Sequence, residues 1–192
     1  MLDQRLLWAS GVVLMVGAAI GLYFWQRRKK EPDIRRALDA IAIERLERVL
    51  VPDGMGGHIQ VEHLLLTARG ILLIEAKSIN GAVFASDRMD EWTVIGKQGR
   101  YVFPNPQGTL YDRVAAVRQL LRHVPVTGYV LFPPGADFSK GKPKDVMLSD
   151  ELGEEYKKPD RAETERLREA FWPHWEQLCE TVLPADAGRP LR

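Results

Sequence analysis

Two strongly apolar segments separated by a four-residue turn constrain the fold more than any other feature of this chain. The segments are residues 58–66 and 71–77, and they flank Thr67-Ala68-Arg69-Gly70. A two-residue or a four-residue hairpin loop gives the same register, in which Leu66 faces Ile71. Because side chains alternate across a strand, both faces of this hairpin are apolar near the turn. That pattern predicts a central pair of strands that is buried on both sides.

The far end of the same hairpin carries charged residues. In the predicted register Glu62 faces Glu75 and Gln60 faces Lys77, so that all four side chains share one face. Two carboxylates opposite each other repel, and their burial is costly unless positive charge lies between them. Lys77 supplies one charge, and a divalent cation, which prefers carboxylate oxygens, would supply two more. The alternative is an ordinary solvent-exposed Glu–Lys pair, and the pattern alone leaves both interpretations open.

An uncharged apolar run precedes this region near the start of the chain. Residues 6–25 contain no charged side chain, and a helix of that length spans about 30 Å, the thickness of the hydrocarbon core of a bilayer. Trp8 lies near one end, and Tyr23 and Trp25 lie at the other, where interfacial aromatic residues belong. The basic residues 27–30 follow. The run therefore predicts a single-pass anchor in the cell (inner) membrane, with the N-terminus outside and the following domain in the cytoplasm.

A cleaved signal peptide is the competing interpretation of the run. Such a peptide needs a basic segment before a shorter apolar core, whereas here the core is long and the basic cluster follows it. The pattern therefore favours an uncleaved anchor. Gly17 and Gly21 have the G-x-x-x-G spacing that packs two membrane helices together, which raises a homodimer as a further hypothesis.

Charge and cysteine content limit the function classes for the rest of the chain. Of the 27 basic and 26 acidic residues, five and one lie in residues 1–30, which leaves 22 and 25, a net charge of −3, for residues 31–192. A broadly basic nucleic-acid-binding surface is thereby excluded, although a local basic groove is not. Cys179 is the only cysteine, so no internal disulfide exists, and no Cys/His array supports structural zinc.

Hydrophobic periodicity and turn residues predict a mixed α/β domain over residues 31–192, with its core at 49–148. A mixed sheet flanked by helices follows the membrane helix. Strands are predicted near 49–51, 58–66, 71–77, 82–85, 92–95, 101–103, 126–132 and 146–148, and helices near 33–42, 110–123 and 161–183, the last with a kink at Pro173.

Several short motifs in the hairpin and after it match a known family. They are Gln60-Val61-Glu62-His63, Gly70-Ile71, Ile74-Glu75-Ala76-Lys77 and Gly81, followed by Asn105-Pro106. The chain thereby resembles the NERD (nuclease-related domain) family, and the resemblance covers roughly residues 49–148.

The resemblance implies a restriction-endonuclease-like fold and Mg²⁺-dependent hydrolysis of phosphodiester bonds in nucleic acid. It assigns Glu62 and Glu75 as ligands of Mg²⁺ (or Mn²⁺), with the backbone carbonyl of Ala76 completing the metal shell. It assigns Lys77 to the attacking water and to the charge that develops on the phosphate. A metal with Lys77 would supply the Lewis acid and the charge neutralisation that this reaction needs.

The chain departs from the family pattern at three places. Glu62 stands where the family has Asp, and Thr109 stands where it has Gln, with Gln107 two residues earlier. The acidic residue of the first helix has three candidates: Glu31, Asp39 and Glu44. These departures keep two other hypotheses open beside a nuclease, namely a non-catalytic module that binds nucleic acid or a protein partner at the membrane, and a structural domain without a ligand.

Other polar residues receive structural interpretations. His63 lies on the apolar face in the predicted register, which is typical of a hydrogen-bonded core histidine. The three lysines of residues 137–144 are expected to lie in a solvated loop.

Overall fold

The computed structural model describes residues 34–97, 99–157 and 160–185. The predicted membrane helix at 6–25, the basic cluster at 27–30 and the Gly17/Gly21 pair lie outside these residues. Of the helices in the described part of the chain, none combines the length and the apolar composition needed to cross a bilayer.

A six-stranded mixed sheet forms the centre of the domain. Its order is β10-β1-β2-β3-β7-β9, and the strands are antiparallel from β10 to β3, whereas β3, β7 and β9 run parallel. The strands are β1 (Glu44–Pro52), β2 (His58–Thr67), β3 (Gly70–Ala76), β7 (Val126–Phe132), β9 (Val146–Leu148) and β10 (Leu183–Pro184).

A second, four-stranded sheet has the order β6-β5-β4-β8, with only β8 parallel to its neighbour. Its strands are β4 (Gly81–Phe84), β5 (Glu91–Gly96), β6 (Gly99–Pro104) and β8 (Ala136–Asp137). Buried residues of β4 and β5, Val83 and Trp92 among them, join the same core as one face of the six-stranded sheet.

Within the described residues, four helices cover the central sheet. They are α1 (34–41), α2 (Gln107–Leu120), α3 (Leu152–Glu155) and α4 (Arg161–Thr181). Leu38 of α1 and Leu152 of α3 pack with Leu65 and Leu72 on one face. Leu110 of α2 and Leu178 of α4 belong to the core on the other face. The sheet is therefore buried on both sides, as the apolar hairpin predicts.

The β2–β3 pairing confirms the predicted register, with Leu66 opposite Ile71 and Leu64 opposite Leu73. Gly70 closes the turn with φ +106°, and a Cβ there would collide with the carbonyl oxygen of Pro125, so the position requires glycine. The mixed α/β class with flanking helices is confirmed as well.

Other boundaries differ from the predicted ones. β1 begins at Glu44 rather than near residue 49, and α2 begins at Gln107, directly after Asn105-Pro106. The last helix continues through Pro173 and ends at Thr181, because Leu183–Pro184 then pairs with β1 as a short strand. The grouping of four strands into a separate sheet has no counterpart in the sequence pattern.

Candidate active site

In β1 and β2 the regular alternation of side chains between the two faces of the sheet is interrupted at one point, so that the strand faces are reversed beyond it. Leu46 and Val49 of β1 pack into the same core, as do Val61 and Leu64 of β2, although residues three apart in a regular strand face opposite sides. Arg48, in the middle of the reversal, has φ +48°, a left-handed conformation that non-glycine residues rarely adopt. The reversal occurs without a shift of the register.

This reversal corrects one sequence inference. Regular alternation along β2 predicts that Ile59 and Val61 share the face of Leu65, but they pack on the opposite face, with Leu64. Glu62 and His63 fall within the reversal, and both line a cavity beside α1.

The carboxylate of Glu62 ends the β2–β3 ladder. The main-chain pairing of β2 with β3 stops at His63 and Ile74. The next main-chain N–H of β3 that points towards β2 is that of Ala76, and it donates to Oε2 of Glu62 at 2.9 Å. A side chain thus takes the place that the main chain of β2 would occupy in a regular ladder. The bond fixes Glu62 against β3, where it lines the cavity beside α1. Glu75 is instead bonded by Arg113 of α2, so the structure does not place the two carboxylates on one face as the regular register predicts.

Glu75 is held between two cations. Its side chain is only 12% exposed, Nζ of Lys77 lies 2.7 Å from its Oε1, and Nη1 of Arg113 donates to its Oε2. Nε of Arg113 also donates to the carbonyl oxygen of Gln60, at 2.6 Å. Two positive charges therefore compensate the burial of this carboxylate, which would otherwise be costly.

Arg113 is a site residue that the sequence analysis did not identify. A signal was present, because Arg113 follows Leu110 by three residues and precedes Val117 by four, and this spacing places it along the buried stripe of α2. A cation on a buried stripe is stable only beside a buried anion, and in the structure that anion is Glu75.

The cavity beside α1 has a volume of about 360 Å³ and contains Glu47, Glu62 and His63. Burial lowers the pKa of His63 below its usual value, and the neighbouring carboxylates of Glu62 and Glu47 only partly oppose this effect. Nδ1 of His63 is buried and accepts no hydrogen bond from any described residue. The expectation of a hydrogen-bonded core histidine is therefore wrong for this nitrogen, and the residue as a whole is half-buried.

The acidic residue expected on the first helix is not found near Glu62 and Glu75 among the described residues. Asp39 forms an ion pair with Arg45 at 2.8 Å. Glu44 lies on β1 and contacts Arg168 of α4 at 3.3 Å. Glu31 lies outside the described residues, within which no group of three or more His, Cys, Asp or Glu side chains is arranged to hold a metal ion.

Hydrogen bonds of Gln107 hold the N-terminal end of α2, the helix on which Arg113 lies. It is 3% exposed, and its Nε2 donates to Oδ1 of Asp87 at 2.8 Å and to the carbonyl oxygen of Lys144 at 2.7 Å. The hydrogen bond from Gln107 is the main cause that lowers the pKa of Asp87. Asn105 caps the main-chain N–H of Gln107 at 2.9 Å. The glutamine that the sequence analysis treated as displaced thus ties two loops to α2.

The lysine-rich loop has mainly structural contacts. Lys142 forms an ion pair with Glu151 at 2.7 Å, and the main chain of Lys144 donates to Asp87. Lys140 is exposed.

Comparison with known proteins places this geometry in a family. The model of the nuclease-related domain, NERD, matches residues 28–133, more than half of the chain. An uncharacterized protein of Bacillus anthracis is 23% identical over 136 residues, which are 67% of this chain and 64% of that protein. The chain therefore spans less than two thirds of this relative. No solved structure gives a significant match. The match over residues 28–133 shows that the chain belongs to the NERD family of nuclease-related domains.

Proposed function

We propose that the domain hydrolyses phosphodiester bonds of nucleic acid in a Mg²⁺- or Mn²⁺-dependent reaction, on a restriction-endonuclease-like fold. The observation that carries this proposal is Glu75, a nearly buried carboxylate bonded to Lys77 and Arg113 and one residue away from the Glu62–Ala76 contact. Acidic and basic groups that meet at the end of a buried strand are candidates for catalytic roles. Membership in a nuclease-related family supports the same reaction class.

The donor groups fit a hard divalent cation in their chemistry. Glu62 and Glu75 supply carboxylate oxygens, and the carbonyl of Ala76 supplies a third ligand of the same kind. Each oxygen of Glu75 accepts one hydrogen bond from a cation within the chain, which leaves it a second lone pair for a metal. When bound, the metal would supply Lewis acidity and lower the pKa of a coordinated water.

The chain's own residues would then perform defined tasks. Lys77 is 29% exposed, so its ammonium group can reach a phosphate oxygen while Glu75 holds it in place. There it would neutralise the charge that develops during hydrolysis. Arg113 would fix the orientation of Glu75 through its second bond, to Gln60, and is a positioning residue.

The test is cleavage by the full chain in detergent. Labelled single- and double-stranded DNA and RNA are incubated with Mg²⁺, with Mn²⁺ or with a chelator. We expect metal-dependent cleavage that Glu75→Gln and Lys77→Met each reduce by about 100-fold or more. Glu91→Gln is the matched control, because Glu91 is an exposed glutamate on β5. A folded wild-type protein that cleaves none of these substrates with either metal would contradict the proposal.

A non-catalytic module on the same fold is the second candidate. The specific observation in its favour is again Glu75, whose two oxygens are already satisfied by Lys77 and Arg113 without a metal. Binding of nucleic acid without cleavage, under all metal conditions above, would support this candidate.

We further propose that residues 6–25 anchor the domain in the cell membrane, with the domain on the cytoplasmic side and with Gly17 and Gly21 available for helix pairing. Reporter fusions after residue 30 test the orientation. A cytoplasmic reporter should be active and a periplasmic reporter inactive, and the reverse result would contradict the anchor's predicted direction.

A further inference from the structure

A second cavity lies at one end of the four-stranded sheet, next to the segment that follows Lys77. Its volume is about 630 Å³, within the range of about 300–1,000 Å³ typical of ligand sites. The β5–β6 hairpin forms one wall with Lys97 and Tyr101, and the segment that follows β3 forms another with Ser78 and Asn80. We call this cavity the hairpin cleft.

The hairpin cleft adjoins the candidate active site directly. Ser78 lines both the cleft and the cavity that contains Glu62. The parallel strands β3 and β7 end here, at Ala76 and Phe132, and the carboxyl ends of parallel strands are the usual place for ligands in α/β sheets. A polymer bound in the cleft would therefore pass next to Lys77.

The wall of the cleft exposes backbone rather than side chains. Gly81 has φ +122°, and a Cβ there would lie 2.5 Å from the carbonyl oxygen of Ile95, so a larger residue is excluded. Gly135 lies against Oδ1 of Asn80 with no room for a side chain. At Gly81 and Gly135 the place of a side chain is thus taken by the protein's own atoms. Gly99, also in the cleft wall, has no atom within 4 Å of its Cβ position, so its main chain is open to a phosphate or a sugar.

Tyr101 and Lys97 supply the two groups that a nucleotide requires. The ring of Tyr101 is 45% exposed and is backed by Phe103, with 6.4 Å between the ring centroids. Lys97 is exposed, and none of the described residues that line the cleft is acidic. An aromatic face beside a cation binds a stacked base and its phosphate.

We infer that the hairpin cleft binds a single-stranded segment of nucleic acid, with one base stacked on Tyr101 and a phosphate at Lys97. This inference rests on the proposed nuclease function and names its substrate class. Duplexes are disfavoured, because they are bound through many phosphate contacts, and residues 31–192 carry a net charge of −3. A paired base also has no free face to offer to Tyr101.

The experiment measures binding apart from cleavage. Fluorescence anisotropy of the full chain in detergent, with a chelator present, compares oligo-dT and oligo-rU of about 12 nucleotides with a duplex of equal length. We expect single strands to bind more tightly than the duplex, and the two oligonucleotides distinguish DNA from RNA.

Variants of the cleft sharpen the result. Tyr101→Ala should weaken single-strand binding by about 5- to 100-fold, whereas Tyr101→Phe, which keeps the ring, should bind like wild type. Lys97→Ala should lower the salt dependence of log K by about 0.7, and Lys140→Ala, at an exposed lysine outside the cleft, should not.

Two outcomes would overturn the inference: duplex binding as tight as single-strand binding, or Tyr101→Ala binding like wild type. A failure of the proposed catalytic function can be distinguished from a failure of this inference. Single-strand binding that depends on Tyr101, in a protein that cleaves nothing with either metal, would support the cleft and contradict only the catalysis.

Discussion

The two ends of the β2–β3 hairpin differ in every respect that matters for function. At the turn, Leu66 and Ile71 are fully buried, the pairing is regular, and Thr67 donates to the carbonyl oxygen of Gly70 at 2.9 Å. At the open end, β2 reverses its faces, Glu62 replaces a main-chain partner, and Glu75 depends on two cations.

The difference separates a regular, fully buried end of the hairpin from the end that carries the candidate site. The turn end has regular strand pairing, and its apolar side chains pack in the core of the domain. The open end breaks several of these rules, and such breaks tend to lie at functional sites. The two ends should therefore respond differently to substitution, with stability lost at the turn and chemistry lost at the open end.

The largest effect on stability is expected from Leu66→Ala. Removal of this fully buried side chain leaves a cavity, so the free energy of unfolding should fall by about 2–5 kcal/mol. Glu62→Gln at the open end keeps an oxygen for the amide of Ala76 and should cost less than about 1 kcal/mol, while it reduces cleavage. Urea unfolding followed by tryptophan fluorescence measures both values. Equal losses of stability would remove the distinction between the two ends.

Arg113→Ala should have the next largest effect. The variant leaves Oε2 of the nearly buried Glu75 without its cation, and the free energy of unfolding should fall by about 1.5–3 kcal/mol. Added Mg²⁺ should restore more stability to this variant than to wild type, because the metal would replace the lost charge. Thermal unfolding with and without Mg²⁺ tests this. Arg122→Ala, at an exposed arginine after α2, is the control, and an equal response of both variants to Mg²⁺ would contradict the expected role of Arg113.

Thr67→Val tests the turn with a smaller change. The valine keeps the shape but loses the bonds of Oγ1 to the carbonyl of Gly70 and the amide of Arg69, so a loss of about 1 kcal/mol is expected. Thr109→Val, on the exposed side of α2, should change stability by less than about 0.5 kcal/mol in the same urea titration. Cleavage should be unchanged in Thr67→Val, and a large loss of activity would show that the turn and the site are coupled.

The smallest effect concerns pH. Burial lowers the pKa of His63 in the folded protein, so the unfolded chain binds the proton more readily. The contribution of His63 to stability is therefore complete above the unfolded pKa of about 6.5, and it is lost as the pH falls through the folded pKa. His63→Gln should reduce the loss of stability between neutral and mildly acidic pH, and His123→Gln, at an exposed histidine, should not. Identical pH profiles for His63→Gln and wild type would contradict the effect.

The sequence predicts the regular parts of this structure because their signals are local. Alternating apolar residues and the Thr67–Gly70 turn were enough to define the β2–β3 register, and helical spacing located α2. The face reversal could not be predicted in this way, because it depends on a left-handed conformation at Arg48, a residue type that gives no local signal for it.

The site shows the same limit. Glu62, Glu75 and Lys77 were identified from their places along two paired strands, and their catalytic roles remain proposals. Their partners come from distant parts of the chain, since Arg113 lies on α2. The hairpin cleft likewise brings the segment after β3 together with the β5–β6 hairpin. Contacts between elements that are far apart in the sequence leave only weak traces in its pattern, such as an arginine on a buried helical stripe.

The central claim is that Glu62 and Glu75 form a metal-dependent catalytic site, and metal binding tests it most directly. Mg²⁺ and Mn²⁺ are titrated by calorimetry into the wild-type chain and into the Glu75→Gln and Glu91→Gln variants. The account predicts binding by wild type and by Glu91→Gln, and loss of binding in a folded Glu75→Gln protein. A folded wild-type protein that binds neither metal, even at millimolar concentration, would contradict the claim.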